Sequence, residues 1–293
     1  MRIATYRPVL AIVTSCVIWG LSGIYYSQLS HIPALEVLAH RSLWAMVFFS
    51  GVLLFQGGFS WIKCFQINVK QIILLGASAL MISVNWFSFI FAIQTNQAVQ
   101  AAFGYYIFPL VAVAFGFVFK RERFSSAQSV AILFAAVAVA GLGVALRLVP
   151  SIALMIAITF GAYGLIKSFV RIGAVLSVTI ETILIAPFSL GFLCYLYLSR
   201  SGGTYEASDL DILLLVLSGV ITGGPLILFS YATKKLNYAT VGILQYINPT
   251  LQFLVAIIIF LEPFNLWHSF ALVCIWIGII IYSTETWRLQ LIK

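Results

Sequence analysis

A chain of 293 residues that is 62% hydrophobic and only 8% charged, with a mean hydropathy of +1.09, cannot clothe itself in a water-soluble surface, which takes about 25% charged residues. Its continuous apolar runs of about 20 residues are the length of membrane helices, and they exclude the weak alternating segments of a transmembrane barrel. The net charge of +8 reports orientation in a membrane first, so no nucleic-acid partner is expected and membrane lipids are.

With charges, prolines, glycines and polar clusters as breaks, ten helical spans follow in chain order: 8–28, 33–56, 70–93, 97–119, 125–146, 150–170, 176–198, 209–232, 237–260 and 264–285. The first is longer than the h-region of a signal peptide, about 7–15 residues, and reads as a retained helix. Its "GLSG", Gly20 to Gly23, has two readings. One is an intramembrane serine hydrolase, with Ser22 as nucleophile and His40 as the base that chemistry needs. The other, simpler one is close helix packing over small residues. The second span opens with Glu36, read as a solvated helix start, and carries His40, Arg41 and Trp44. The third holds Asn85 and Trp86, the fourth Tyr106 and Pro109 in "GYYIFPL", the sixth Tyr163 and the seventh Glu181. The eighth has Thr222-Gly-Gly-Pro225, where weakened backbone bonding makes either a passive kink or a hinge. The ninth contains "LQYINPT", with Gln245, Tyr246, Asn248, Pro249 and Gln252. His31 and His268 read as interfacial. The four cysteines, Cys16, Cys64, Cys194 and Cys274, have no metal or redox spacing. No G-x-x-x-x-G-K-[ST] phosphate cradle occurs, so no cofactor, metal or direct use of ATP is expected.

Placing the N-terminus inside puts thirteen Lys and Arg on inner segments against two, Arg147 and Arg200, on outer ones. That asymmetry predicts cytoplasmic termini. The chain also repeats itself. At an offset of 140, Tyr106-Ile107 matches Tyr246-Ile247, Pro109 matches Pro249, and Glu122 matches Glu262. Trp19-Gly20 matches Tyr163-Gly164 at an offset of 144. The expected fold is therefore an all-α membrane protein of ten transmembrane helices. Its two inverted five-helix repeats, 1–146 and 147–293, surround a central cavity, an arrangement used by many secondary transporters, with sites at helices broken by Pro, Gly or polar residues.

Buried charge is costly in a bilayer and tends to face a partner or a cavity. The repeat sets His40 opposite Glu181 and Arg41 opposite Thr182, so these residues are expected to approach one central space. They would form a charged substrate site or proton relay there, with Arg41 gripping a carboxylate, or an Arg41–Glu181 ion pair that clamps the halves. Gln245, Asn248 and Gln252 share one helix face, which is expected to line the cavity with Tyr246 as an aromatic wall. Trp44, Asn85, Trp86, Tyr106 and Tyr163 complete the candidate substrate-binding or coupling set. Pro109, Pro225 and Pro249 are the candidate hinges.

The motifs "WGLSGIYY", "EVLAHRSLWA", "VNWFSFIFAIQ", "GYYIFP", "RERF", "AYGLIK", "TIETILIAP" and "LQYINPT", in that order, resemble those of RarD-type transporters of the EamA group, in the drug/metabolite transporter superfamily. The resemblance spans about residues 8–285. It implies a ten-helix basket in a bacterial inner membrane and export of small metabolites. The chain departs from the family at Phe108, where Asn is frequent, so hydrogen bonding is expected to weigh toward Asn248. The reading is a secondary transporter, not an enzyme, that moves a small organic metabolite or drug-like molecule outward by alternating access, with protons as the candidate coupling ion. An uncoupled facilitative amino-acid exporter is the alternative. The sequence identifies neither substrate nor oligomeric partner.

Overall fold

The computed structural model describes residues 3–55, 68–120, 125–146, 150–233, 235–236 and 244–291. The described residues are helical almost throughout: α1 (Ile3–Ser27), α2 (Ala34–Phe55), α3 (Val69–Gln94), α4 (Ala98–Lys120), α5 (Ser126–Leu146), α6 (Ser151–Lys167), α7 (Ala174–Leu198), α8 (Asp209–Thr233), α9 (Ile247–Leu254) and α10 (Leu266–Leu291). A single 3₁₀ turn, Gly203–Glu206, joins α7 to α8, and α9 runs on as a π-helical turn, Val255–Ile259. Five stretches are long and apolar enough to cross a membrane: Arg7–Ser27, Ala34–Phe55, Val69–Gln94, Val175–Leu198 and Asp209–Phe229. The remaining helices contribute shorter apolar segments.

Local sequence explains where these helices begin. Asn68 accepts a bond from the Gln71 amide at 2.9 Å and starts α3. Ser125 and Gln128 exchange backbone and side-chain bonds of 3.0 and 3.2 Å at the head of α5, the reciprocal capping box that satisfies two orphan amides. Ser208 and Asp211 form the same box before α8. Asn265 takes the amides of Trp267 and His268 at the start of α10.

One expectation about the prolines changes. The ninth span does not bend at Pro249. Its break falls at Tyr246, and Pro249 is the third residue of a new helix. A missing amide costs little there, because first-turn amides have no partner within the helix. Residues 237–243 of that span lie outside the described residues. Pro225 sits inside α8, which continues to Thr233. Pro109 lies within α4.

The glycines near Pro225 have a packing role. A Cβ on Gly219 would lie 2.4 Å from the backbone carbon of Trp44, and one on Gly223 would lie 2.4 Å from the Phe48 ring. One turn apart, they form a small-xxx-small stripe that lets α8 press onto the α2 backbone. Gly20 does the same for α1, facing Leu251 and the Asn248 carbonyl of α9.

Helices α1–α5 pack chiefly against α6–α10 and little against one another. The extensive contacts are α5 with α10, α4 with α6, α3 with α6, α2 with both α7 and α8, and α1 with both α8 and α9. A core of Tyr26, Ile90, Phe103, Tyr106, Ile156 and Ile275 runs between them. Large apolar side chains such as Phe188, Leu190 and Leu198 of α7 are exposed, as suits a surface that meets lipid rather than water.

Candidate functional site

Two buried polar clusters hang on α3. Their anchors, Ser78 and Trp86, are eight residues apart, about 12 Å along the helix.

The first surrounds Arg41. Its guanidinium carbon lies 4.4 Å from the Trp86 ring centre and 5.2 Å from that of Tyr26, and the residue is only 7% exposed. Arginine at the middle of a membrane helix costs about 2.5–3.5 kcal/mol on insertion scales. Cation–π contact with two desolvated rings, about 2 kcal/mol each at best, offsets that cost without using any of the five N–H donors. Nε has no hydrogen-bond partner among the described residues, and neither has the hydroxyl of fully buried Tyr26. Among the described residues no carboxylate stands within ion-pair distance of Arg41. His40 is half-buried beside it. Trp44, one turn further on, is the residue whose backbone meets Gly219.

Asn85, next to Trp86, is fully committed. Its amide donates to the Ile156 carbonyl at 3.0 Å and to Thr159 Oγ1 at 3.3 Å, and its oxygen accepts the Tyr105 hydroxyl at 3.0 Å. It ties α3 to α4 and α6.

The second cluster centres on Glu181 of α7, which is 2% exposed. Lys167, the last residue of α6, reaches it at 2.7 Å. Ser78 donates to the same oxygen at 2.5 Å, and the Tyr163 hydroxyl donates to the other at 3.3 Å. The Lys167 ammonium also donates to Ser177 and lies 5.4 Å from the Tyr163 ring centre. A buried ion pair is tolerable only with such further bonds to its spare lone pairs and protons.

The expected meeting of His40 and Arg41 with Glu181 is therefore corrected. Arg41 is fixed on Trp86 and Glu181 on Ser78, so they occupy different layers and form no ion pair. Lys167 is the physical reason: it neutralises Glu181 from one turn beyond Tyr163. Lys167, one of the thirteen basic residues counted on inner segments, turns into the bundle. The spacings Tyr163 to Lys167 and Ser177 to Glu181, both i,i+4, put each pair on one helix face and were the available signal.

"LQYINPT" meets other helices. Gln252 is buried and donates to Asn248 Oδ1 at 3.1 Å, while its own Oε1 has no partner among the described residues. It borders a recess shared with Gly20, Gly23, Phe89 and Ile93. Asn248 and Gln245 are half-buried. Tyr106 and Thr250 share a hydrogen bond of 2.8 Å, and Tyr246 packs on Trp276 at 6.3 Å. That recess, and another between α4, α5, α6 and α10 lined by Phe103, Ala138 and Ile275, each have room for about one water. Neither is a substrate-sized cavity.

Ser22 donates to the Trp19 carbonyl at 2.6 Å, and "GLSG" is close-packed, Gly20 against α9 and Gly23 against Ile93 of α3 and Phe260.

Glu36, expected as a solvated helix start, is buried instead, and so is Glu262. Glu36 accepts the Gly203 and Thr204 amides at 2.8 and 2.9 Å, and the Thr204 hydroxyl as well. Glu262, between the π turn and α10, accepts the Ala98 and Val99 amides at 2.5 and 2.8 Å, at the head of α4. Burial pushes the Glu262 carboxyl above its usual range, and the two amides pull it back. Both ties cross between α1–α5 and the remaining helices, at the end of the bundle where α2 and α4 begin.

A bundle of apolar helices with charges buried at their junctions suits a membrane transporter, in which intramembrane charges commonly mark substrate and ion pathways. The profile of the EamA-like transporter family matches residues 7–144. The uncharacterized transporter YojE of Bacillus subtilis (strain 168) is 36% identical, over 95% of this chain and 94% of that protein. Protein RarD of Streptomyces exfoliatus is 34% identical over 92% and 86%, and protein RarD of Escherichia coli (strain K12) is 30% identical over 96% and 95%. A crystal structure at 16% identity shares the fold, with a TM-score of 0.61 over 96% of this chain and 98% of that one. The chain belongs to the EamA-like transporter family. It is a multi-pass bacterial membrane transporter rather than an enzyme.

Proposed function

We propose that the chain is a secondary transporter of the inner membrane, moving a small organic metabolite or drug-like molecule outward by alternating access. The observation that carries this reading is the stacking of two buried charge clusters along one helix: Arg41 against Trp86, and Lys167–Glu181 against Ser78. Intramembrane charges are expensive, and they commonly mark substrate and ion pathways. Here they flank the middle of α3, whose 26 residues span about 39 Å.

Two inverted halves, 1–146 and 147–293, are part of this reading. The pattern of packing supports them. Exchange α1 with α6, α2 with α7, α3 with α8, α4 with α9, and α5 with α10. The α3–α6 contact becomes α8–α1, α4–α6 becomes α9–α1, and α2–α8 becomes α7–α3. Each of these pairs is in contact, and α2–α7, α4–α9 and α5–α10 map onto themselves. Inverted halves of this kind place a site near the midplane and alternate by rocking against each other. With cytoplasmic termini, as the basic-residue asymmetry supports, the Glu36 and Glu262 ties lie on the outer face. The close packing described above then corresponds to a form closed to the outside.

Proton coupling through Glu181 completes the reading, since a proton on that carboxylate would release Lys167. An unbiased comparison of effluxed metabolites, in cells with and without the chain, tests the proposal. A solute exported only when the chain is present, and lost in Glu181→Gln, is the expected result. Identical effluxed metabolites would overturn the transport reading. Export by Glu181→Gln that keeps its full dependence on a proton gradient would remove Glu181 as the coupling group.

A further inference from the structure

We infer that Arg41 and Tyr26 form a binding site for the anionic head of a small organic carboxylate, with Trp86 as the wall against which its body lies. This inference rests on the transporter reading and names the substrate class.

The argument is one of unfilled valence. Among the described residues the bundle interior holds one ion pair, Lys167–Glu181, which is neutral as a unit. Arg41 is left as a net positive charge, 7% exposed. Its Nε donates to nothing among the described residues, and the hydroxyl of Tyr26, 1% exposed, is likewise without a partner. Three neutral buried atoms, Ser15 Oγ, Gln100 Oε1 and Gln252 Oε1, also lack partners among the described residues, but the buried carboxylates and Asn85 do not. Asn85, Glu181, Glu36 and Glu262 each engage two or more partners. Two unpartnered donors on neighbouring side chains, in a protein that satisfies the rest of its buried charges, indicate an absent acceptor.

The chemistry of that acceptor follows from the donors. It carries negative charge, because the guanidinium has no counter-ion among the described residues. It presents two coplanar oxygens, because a guanidinium is best met by a fork. Its remainder is aromatic or apolar, because the walls are the Trp86 and Tyr26 rings. A lipid headgroup does not suit a side chain buried to this depth. Among the described residues no substrate-sized space is open beside Arg41 in this conformation, so binding requires α6–α8 of the second half to draw away from α2 and α3, on which they pack, and a rocking of the halves supplies that opening. The Asn85 joint borders the site and is already saturated, so discrimination falls to Arg41 and Tyr26.

The test is calorimetric titration of the purified protein in lipid nanodiscs with sodium benzoate, and with benzamide, benzylamine and sodium chloride as separate arms. Benzoate should bind at least about 10-fold more tightly than benzamide or benzylamine, since each 10-fold is a modest fraction of a charge-assisted pair. Chloride should not compete at equal concentration. Arg41→Gln should lose benzoate binding, Arg41→Lys should keep part of it, and Tyr26→Phe should weaken it several-fold. Benzamide bound as tightly as benzoate overturns the inference with the unaltered chain alone, whatever the variants do. So does wild-type affinity in Arg41→Gln, or chloride competing as well as benzoate, which would make the site one for inorganic anions. Solute counterflow in proteoliposomes separates the two readings. Flux confined to neutral or cationic solutes overturns the anion site and leaves the transporter standing. Arg41-dependent benzoate binding with no flux of any solute supports the site and overturns the transport reading.

Discussion

Replacing Lys167 by Met would strand the Glu181 carboxylate in the bundle. At 2.7 Å and an effective dielectric of about 20, the gross attraction of the pair is about 6 kcal/mol, and much of it is spent on desolvating both ions. Removing one partner of such a pair costs about 3–5 kcal/mol, because the other charge stays buried. Glu181 keeps its bonds from Ser78 and Tyr163, which favours the lower end. A loss of about 3 kcal/mol lowers the folded-to-unfolded ratio by about 100-fold, and in a chain of this size it should lower Tm by roughly 6–12 °C. The double variant Lys167→Met, Glu181→Gln removes both charges, and its stability should return to within about 1 kcal/mol of wild type. Fluorescence-detected size-exclusion after a heating series, in detergent, measures all three proteins. A Lys167→Met chain as stable as wild type, or a double variant as unstable as the sum of the singles, would refute the assignment of Lys167 as the neutralising partner.

Three further outcomes are expected. Gly219→Leu should cost at least about 1–3 kcal/mol through overpacking, because its Cβ meets the Trp44 backbone at 2.4 Å, whereas Gly164→Ala, with nothing within 4 Å, should not; equal melting temperatures for the two would contradict the close approach of α8 to α2. Glu262→Ala should lose the acceptor of two amides and, because burial raises this carboxyl in the folded chain, the Glu262 contribution is full below its unfolded pKa and declines as pH rises through the folded one. Melting curves across acidic to neutral pH should then show the gap between wild type and variant narrowing upward, and a gap that widens would mean that the amides outweigh burial. Single cysteines added at the two ends should resist an impermeant thiol reagent in intact cells, and labelling of both would reverse the orientation.

The membrane class and the helix spans were legible in the sequence because both depend on a one-dimensional quantity, the length of an apolar run. The expected spans 33–56 and 70–93 differ by a residue from Ala34–Phe55 and Val69–Gln94. Arg41, Asn85 and Glu181 also stood out, since a polar residue in an apolar run is conspicuous by its cost. Their partners did not. Whether Glu181 meets Arg41 or Lys167 depends on the rotation of α6 and α7 about their axes, which composition does not encode. Glu36 looked solvated, and the burial of Glu262 went unread, because their partners are backbone amides of distant segments, and every residue except proline offers an amide. The expectation that Pro249 bends a helix came from its mid-helix reading. At the start of α9 the same residue is unremarkable, and the break is one that Tyr246 does not announce. The stripe Gly219-x-x-x-Gly223 was available in the sequence as a packing motif, but Pro225 drew the reading toward a hinge.

The interleaving of early and late helices has a consequence for how the chain is made. The partners of α1 are α8 and α9, and α8 begins at Asp209, 182 residues after α1 ends at Ser27. At about 5–20 residues per second of synthesis, α1 waits on the order of 10–40 s for them. During that interval Ser15 and Arg41, buried in the finished bundle, have no native neighbours from α6 onward. Each early helix must hold its place in the bilayer by its own hydrophobicity, and the native packing of α1 and α2 belongs to the last third of translation. A ribosome that stops after α5 releases inserted helices without their main packing partners, and these are the substrates a membrane protease should clear first.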